Sequence, residues 1–208
     1  MARPKYLNEE TTARYKLKAA FWDLLSEMDY NHITVKKLTS RAQVNPNTFY
    51  YHYDTMDSLA MDAFNDEKLY EIPTIIHEKL TRSPSFSFSE ALGYVFVEER
   101  WKRLRLFVTS DSALLHQLMY DAMESFWLSL IGVNKDALSK AEYLDLTFIL
   151  NGALSIIKLQ SEEFDIDFIR TLPDSALGQG IMQTLERLTV HHTEHIRTTT
   201  STAAVSPQ

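Results

Sequence analysis

Residues 33–59 have the sequence ITVKKLTSRAQVNPNTFYYHYDTMDSL, and they carry the strongest structural signal in the chain. Thr34 is a favoured N-cap residue, and apolar residues recur at helical spacing directly after it. Asn45 followed by Pro46 marks the start of a second short helix, since Asn is a favoured N-cap and Pro is favoured at the first helical position. Two short helices joined by a tight turn, with another helix behind them, form the arrangement that places one helix in the major groove of DNA.

The second of these helices has one inner face and one outer polar face. Its expected inner face comprises Phe49, His52 and Tyr53. On the outer face, Asn47 can form two hydrogen bonds to adenine, and Tyr51 can pack its ring on a thymine methyl group. Thr48 suits a base or a phosphate, whereas Tyr50 suits a phosphate. We therefore expect this helix to read bases and the module to bind double-stranded DNA.

Charge is unevenly distributed along the chain. The whole chain has a net charge of −7, whereas residues 1–52 contain eight Lys or Arg against five Asp or Glu, a local charge of +3. Such a division is typical of a small DNA-facing module joined to a body without phosphate contacts. The second short helix contains no Lys or Arg, so we expect cations elsewhere to attract the phosphates. These cations are Arg3, Lys5, Lys36, Lys37 and Arg41, and Thr34 and Asn45 complete the expected DNA-contacting set.

Apolar residues recur at helical spacing along almost the whole chain, and no stretch alternates with the period of two that a half-buried strand requires. The sequence therefore predicts an all-α protein, with an N-terminal three-helix DNA-binding domain joined to a larger C-terminal helical ligand-binding and dimerisation domain. The predicted divisions are residues 1–53, residues 54–197 and a disordered tail at 198–208, with 54–72 as a linking helix capped by Asp54. The other expected helices are 8–28 with Asn8 as N-cap, 89–106, 111–131, 139–160 and 174–195.

Composition limits the remaining classes of protein. The absence of cysteine excludes disulfides and thiolate metal sites. The longest uncharged apolar stretch, residues 146–157, is far shorter than the roughly 20 residues that a membrane span needs. Residues 1–10 lack the apolar core of a secretion signal. We therefore expect a cytoplasmic protein with no cofactor, no metal and no membrane partner.

Several positions within residues 10–65 together resemble the DNA-binding domain of TetR/AcrR-type bacterial transcriptional regulators. The matching elements are Thr34-Val35, Ala42, Thr48-Phe49-Tyr50-Tyr51-His52-Tyr53 and Leu59. The resemblance implies that Thr48, Tyr50 and His52 anchor DNA phosphates or position the recognition helix, and that residues 45–51 read bases. Gln43 stands where the family usually has Gly, which predicts a turn that tolerates a side chain. Met56 stands where the family often has a Lys that contacts a DNA phosphate, which argues against that one contact to the DNA backbone.

The resemblance also implies a helical body that dimerises through its last two long helices and holds a small-molecule effector. Small residues permit close approach of one of these helices, and the other carries an apolar stripe. The expected dimer interface comprises Gly152, Ser155, Leu177, Ile181, Leu185 and Leu188. A mostly apolar effector pocket is expected to be lined by Trp101, Phe107, His116, Met119, Met123, Trp127 and Phe148. The same residues also fit a simpler role in the protein's own core.

Two further clusters have residue types that bind ligands elsewhere. For the basic run Arg100, Lys102, Arg103 and Arg105, an anionic ligand is one interpretation, but the sequence favours a solvated face. His191 and His195 share a helix face at a spacing that zinc ligands use, with His192 and Glu194 beside them, but the HExxH order is absent. An exposed helix end is the favoured interpretation. No phosphate loop, nucleophile elbow or carboxylate pair indicates an enzyme.

The sequence therefore predicts a homodimeric transcriptional regulator, a repressor that a small-molecule effector releases from a pseudo-palindromic operator. One alternative keeps the fold and gives the body a protein partner in place of the small molecule. A helical metal-dependent enzyme that uses the terminal histidines is the least favoured alternative.

Overall fold

The structure is a computed structural model that describes residues 5–82, 97–159, 171, 174–184 and 187–188, without the side chains of residues 5–11, 77 and 79–82. All regular structure in these residues is helical, so the predicted all-α class is confirmed. Residues 176–184 are helical. The other α-helices are α1 (Lys5–Glu27), α2 (Val35–Ala42), α3 (Pro46–His52), α4 (Met56–Asn65), α5 (Ile72–Arg82), α6 (Glu98–Thr109), α7 (Ala113–Ile131) and α8 (Lys140–Leu159).

The chain divides into two compact units, each of which combines segments that are far apart in sequence. The first contains residues 1–68 and 99–119, and the second contains residues 69–98 and 120–208. Within the first unit, α1 contacts α2, α3 and α4. The sequence-based division after residue 53 differs from this one, because α4 and most of α6 belong to the first unit.

The core of the first unit is organised around the ring of Phe107 on α6. Phe64 stacks on this ring at a centroid distance of 4.8 Å, and Phe21 meets it edge-on at 6.5 Å. Leu17, Phe21 and Leu24 are buried, as the periodicity of α1 predicts. Full burial of a Leu or Phe side chain contributes roughly 1.5–3 kcal/mol, so α6 is a structural part of this unit.

Side-chain caps start α2 and α3 as the sequence predicts. Thr34 Oγ1 accepts a hydrogen bond from the backbone N–H of Lys37 at 3.3 Å, one turn into α2. Asn45 Oδ1 accepts one from the N–H of Asn47 at 2.9 Å, and Pro46 is the first residue of α3. Each such cap is worth about 1 kcal/mol, which matters for helices of only two turns.

The predicted N-cap of α4, Asp54, is wrong by one residue. Thr55 is the N-cap, and its Oγ1 accepts a hydrogen bond from the N–H of Ser58 at 3.1 Å. Ser58 Oγ in return accepts one from the N–H of Thr55 at 3.2 Å. This reciprocal capping box satisfies two backbone donors at once, which explains why the helix starts here.

The predicted linking helix over residues 54–72 is also wrong. Helix α4 ends at Asn65, and α5 begins separately at Ile72 after a short 3-10 helix, Leu69–Glu71. Between them Lys68 has a φ of 52°, a left-handed conformation that cannot continue a right-handed helix.

Contacts of Glu67 explain why the chain turns here. Its buried carboxylate accepts a hydrogen bond from Arg103 at 2.7 Å, and its carbonyl accepts one from Arg100 Nε at 3.2 Å. Arg103 also lies over the ring of Trp22 at 5.3 Å. A buried carboxylate requires such partners. The predicted solvated face is therefore wrong for Arg100 and Arg103, because these cations neutralise Glu67.

Two other predicted helix starts differ from the structure. Helix α1 begins at Lys5 rather than at Asn8, so Lys5 is helical and not part of an extended arm. Val97 is not helical and α6 begins at Glu98, so a continuous helix over 89–106 is wrong at that point. The predicted loop over residues 83–90 lies outside the described residues.

The second unit contains most of α7 together with α8, and polar contacts link its segments. Lys135 donates to both carboxylate oxygens of Glu124, at 2.9 and 2.8 Å. Arg187 donates to Asp145 on α8 at 2.5 Å. Gly132 has a φ of 69° directly after α7, so the helix ends at Ile131, which is the end expected from the sequence.

The turn between α2 and α3 is tight and depends on Gln43. This residue has φ 54° and ψ 44°, and its N–H reaches back to Ser40 O at 3.3 Å. The N–H of Val44 donates to Thr39 O at 3.0 Å, which closes the end of α2. The turn therefore tolerates a side chain at this position, as predicted, but in a conformation that favours glycine.

Replacing Gln43 with Gly should stabilise the protein. A left-handed backbone conformation costs an L-residue roughly 1–2 kcal/mol, and glycine avoids this cost. Glycine also loses more conformational entropy on folding, which offsets about 0.5–1 kcal/mol of the gain. We expect a net gain of about 0.5–1 kcal/mol in the free energy of unfolding, measured by urea titration. Gln43→Ala is the matched control, because it removes the side chain but keeps the Cβ. An equal gain from both variants would contradict the conformational explanation.

Candidate nucleic-acid interface

Helix α3 presents two clearly different faces. Phe49 and Tyr53 are buried, and their rings lie 5.9 Å apart. Tyr50 and Tyr51 are 60% and 70% exposed, and Asn47 is exposed beside them. The assignment of inner and outer residues from helical spacing is therefore confirmed for these five positions.

The two remaining residues of this helix that the sequence singles out, Thr48 and His52, are half-buried. The ring of His52 meets that of Tyr51 edge-on at 5.0 Å. His52 was expected on the inner face, and it lies at the border between the two faces. This position suits a residue that supports the exposed tyrosine.

A polar network holds the C-terminal end of α3 against α1 and α4. Tyr53 OH donates to Asp62 Oδ2 at 2.6 Å. Arg14 donates to the same carboxylate through Nε at 2.9 Å and through its terminal nitrogen at 2.5 Å. Lys18 lies 3.3 Å from Asp62 and 2.5 Å from Asp66. A bidentate Arg–carboxylate pair fixes direction as well as distance, so the network sets the angle of α3 relative to α1 and α4.

The electrostatics of Asp62 reflect these contacts. Burial alone would raise the pKa of its carboxyl, but the hydrogen bonds from Arg14 and Tyr53 and the charge of Lys18 lower that pKa to about 2. Burial and the hydrogen bond to Asp62 raise the pKa of Tyr53. The carboxylate is therefore ionised and the phenol neutral across the physiological range.

A second phenol–carboxylate pair anchors the other side of the module. Buried Tyr30, in the 3-10 helix after α1, donates a short hydrogen bond to Asp57 on α4. Burial and this contact raise the pKa of Tyr30. Asp29 accepts hydrogen bonds from the N–H groups of Asn31 at 3.0 Å and Asp111 at 3.1 Å. The segment between α1 and α2 is thereby fixed on the same scaffold.

The cations expected to attract DNA are not equivalent in the structure. Arg41 donates to both oxygens of Glu27, at 2.8 and 2.6 Å, and this pairing lowers the pKa of Glu27. Lys37 is exposed, and its ammonium donates to His32 O at 3.1 Å. Lys36 is exposed on α2 and forms no ion pair with any described residue. The contribution of Arg41 to DNA binding stays a prediction, in which a phosphate has to compete with Glu27 for the guanidinium.

Two other members of the expected DNA-contacting set also serve the fold. Thr34 and Asn45 use their side-chain oxygens as helix caps. They remain exposed, so the amide nitrogen of Asn45 is available to a ligand. Arg3 lies outside the described residues, and Lys5 is described only as the first residue of α1.

The residues expected to line an effector pocket fall into two groups. The buried ones are Trp101, Phe107 and Met119 in the first unit and Met123 and Trp127 in the second. His116 is exposed and Phe148 is 73% exposed, so their assignment to a buried pocket is corrected. On α8 the inner positions are occupied by Leu146, Ile149 and Leu150, which turns Phe148 outward.

Helix α8 carries an apolar stripe on its exposed side. Leu144, Phe148 and Leu159 are exposed, and Gly152 and Ser155 lie between them at helical spacing on the same face. Leu177 is 63% exposed and Ile181 is half-buried in the helical segment 176–184. Leu188 is fully buried, so it belongs to the core of this chain rather than to an exposed face. Leu185 lies outside the described residues.

The metal alternative finds no support in the part of the chain that is described. No group of three His, Asp or Glu side chains there is arranged to hold a metal ion. The cluster of His191, His192, Glu194 and His195 lies outside that part. Within the same limits, no helix has the length and apolar character needed to cross a membrane.

The first unit contains a helix-turn-helix, which consists of α2, the turn at Gln43 and α3. No family model matches the chain, and no curated protein matches it. Among solved structures, it is similar to AlkX from Dietzia sp., a TetR family repressor implicated in biodegradation of n-alkanes. The two chains are 19% identical with a TM-score of 0.45, and the similarity covers 85% of this chain and 96% of that one. The function is therefore inferred from the site itself.

Removing the Asp62 carboxylate should destabilise the module in a pH-dependent way. The folded-state pKa of about 2 lies below the ordinary 3.8. The stabilisation is therefore complete above about pH 4 and is lost as the pH falls through about 2. We expect Asp62→Asn to lower the free energy of unfolding by about 2 kcal/mol at pH 7, and the difference from wild type to shrink towards pH 2.

Urea titrations at pH 7, 5, 3 and 2 measure this difference. Asp54→Asn is the control, since Asp54 is an exposed carboxylate that forms no ion pair with a described residue. A difference between wild type and Asp62→Asn that stays constant from pH 7 to pH 2 would contradict the ionised network.

Proposed function

We propose that this protein is a homodimeric DNA-binding transcriptional regulator, a repressor that a small-molecule effector releases from a pseudo-palindromic operator. One observation carries the proposal. Helix α3 exposes Asn47, Tyr50 and Tyr51 on one side, while Phe49 and Tyr53 are locked into the module on the other. A recognition helix needs this combination of a fixed inner face and a polar outer face.

Rigidity of the inner face supports base reading over loose electrostatic contact. The Tyr53–Asp62–Arg14 network connects α3 to two other helices through charge-assisted hydrogen bonds. Side chains that read base edges must be held at a defined angle, because hydrogen bonds weaken steeply away from linearity. The exposed Lys36 on α2 then supplies attraction to the phosphates without carrying sequence information.

The apolar stripe of α8 supports the dimer. Leu144, Phe148 and Leu159 are large apolar residues that remain exposed in the single chain. A row of exposed large apolar residues on one helix face is typical of an interaction site, and the small residues Gly152 and Ser155 let a partner helix approach. We assign a second copy of the chain as the partner, because a two-fold dimer presents two recognition helices to a pseudo-palindromic operator.

A buried donor in the second unit supports a small-molecule effector. Trp127 is buried, and its indole N–H has no hydrogen-bond partner among the described residues. Met123 and Phe126 are buried on the same helix. Buried indole N–H groups usually have an acceptor, so this one suits an apolar ligand that carries an acceptor. Such a ligand releases DNA only if it binds the two dimer states with different affinities.

A mobility-shift assay on the DNA upstream of the protein's own gene tests the DNA-binding proposal. We expect a specific complex whose affinity falls with salt. Lys36→Ala should reduce the slope of log affinity against log salt by about 2 for a dimer, one phosphate contact for each protomer. Arg187→Ala is the matched control and should leave the slope nearly unchanged, because Arg187 is an exposed cation of the second unit, outside the expected DNA-contacting set. Binding without sequence preference at low salt would contradict the proposal.

A charge placed in the α8 stripe should separate the dimer. Phe148→Glu removes an aromatic side chain and buries two like charges across the two-fold axis, so we expect the dimer dissociation constant to rise at least 100-fold. Sedimentation equilibrium measures it. Tyr15→Glu is the control, because Tyr15 on α1 is equally exposed, at 71% against 73%. Unchanged dimerisation of Phe148→Glu would contradict the assigned interface.

A further inference from the structure

The exposed face of α3 can form hydrogen bonds and contact methyl groups, but it has no cation. Asn47, Thr48, Tyr50 and Tyr51 form this face, and no Lys or Arg occurs between Val44 and Tyr53. Arg and Lys are the residues that pair with guanine O6 and N7, which is the commonest specific base contact. This helix therefore lacks the usual means of reading guanine.

The cations near α3 either form ion pairs with carboxylates or lie on α2. Arg41 is bound in two hydrogen bonds to Glu27. Arg14 and Lys18 are occupied by Asp62 on the scaffold side of α3. Lys36 and Lys37 are exposed on α2, which is the helix that crosses the DNA backbone in this arrangement. None of these cations lies on the recognition helix itself.

The groups that α3 does expose are suited to adenine and thymine. The backbone N–H of Asn47 donates to the capping Oδ1 of Asn45. The side-chain amide of Asn47 forms no hydrogen bond with a described residue. A free amide of this kind presents one donor and one acceptor, which match adenine N7 and N6. Tyr51 is four residues further along and 70% exposed, so its ring lies beside Asn47 on the same face. An aromatic ring in that place fits the methyl group of thymine.

We infer that each half-site of the operator is read as A·T pairs: Asn47 pairs with adenine in the major groove, and Tyr51 packs on a neighbouring thymine methyl group. The inference rests on the proposed function, since it concerns the same recognition helix. It adds the class of sequence that the helix accepts. Guanine is excluded from the base positions that face Asn47, and specificity depends on fit rather than on charge.

Selection of binding sites from a random duplex library by the full-length protein tests the inference. We expect two inverted half-sites, each with an invariant adenine beside a thymine. Replacing that adenine by guanine should weaken binding about 5- to 150-fold, as expected for one lost bidentate pair. Replacing the thymine by uracil removes only a methyl group, so it should weaken wild-type binding several-fold and have little effect on Tyr51→Ala.

Two variants separate base reading from general binding. Asn47→Arg should move the preferred base from adenine to guanine, because Arg supplies the missing donors. Asn31→Ala is the matched control, since Asn31 is an exposed Asn outside α3, and it should leave the selected sequence unchanged. If wild-type protein selects a specific site with guanine at the positions that Asn47→Arg alters, this inference is overturned and the proposed function stays intact. Binding with no selected sequence would overturn both.

Discussion

The geometry of the helix-turn-helix module depends on one carboxylate. Asp62 accepts hydrogen bonds from Tyr53 at the end of α3 and from Arg14 on α1, and Lys18 lies beside it. Because the carboxylate belongs to α4, three helices meet at this point. Tyr53 then holds Phe49 in the core, and the opposite side of α3 has to face outward. The exposed position of Asn47 and Tyr51 is thus a consequence of a partly buried polar contact on the far side of their helix.

The same ion pairs bear on how a chain with a net charge of −7 could present the DNA-binding face that we propose. Many of the cations in the first unit neutralise acids of the same unit, as in the Arg14–Asp62, Arg41–Glu27 and Arg103–Glu67 pairs. These pairs stabilise helix packing and contribute little to long-range attraction of phosphates. In the proposed complex, the remaining attraction comes from the exposed Lys36 and Lys37 on α2. Recognition by fit and hydrogen bonding is therefore the mode that this charge distribution favours.

Local features of the fold were predictable from the sequence, and long-range ones were not. The Asn45-Pro46 start, the Thr34 cap and the two faces of α3 follow from residues within one or two turns of each other. The Arg14–Asp62 contact joins residues 48 positions apart, and Arg103–Glu67 joins residues 36 positions apart. No periodicity signals such pairs, which is why the end of α4 and the role of the basic run on α6 were predicted wrongly.

The side of a helix on which a residue lies was the other feature that the sequence predicted only in part. In α8 apolar residues occur on nearly every side, so spacing alone did not distinguish the buried Leu146 and Leu150 from the exposed Phe148. The expected effector pocket therefore includes Phe148, which is exposed, and the expected dimer face includes Leu188, which is buried. In α3 the polar residues are confined to one side, and the phase was unambiguous. Predictions of which residues are buried and which are exposed succeed where polarity and periodicity agree.

Photochemical crosslinking tests the central claim, that the exposed face of α3 enters the major groove. Operator duplexes with 5-iodouracil in place of single thymines place a reactive group in the major groove, and mass spectrometry identifies the attached residue. The predicted result for the wild type is crosslinking at Tyr50 or Tyr51, from the same thymine position in both half-sites. Crosslinks confined to residues outside 36–53, with the specific complex intact, would contradict it.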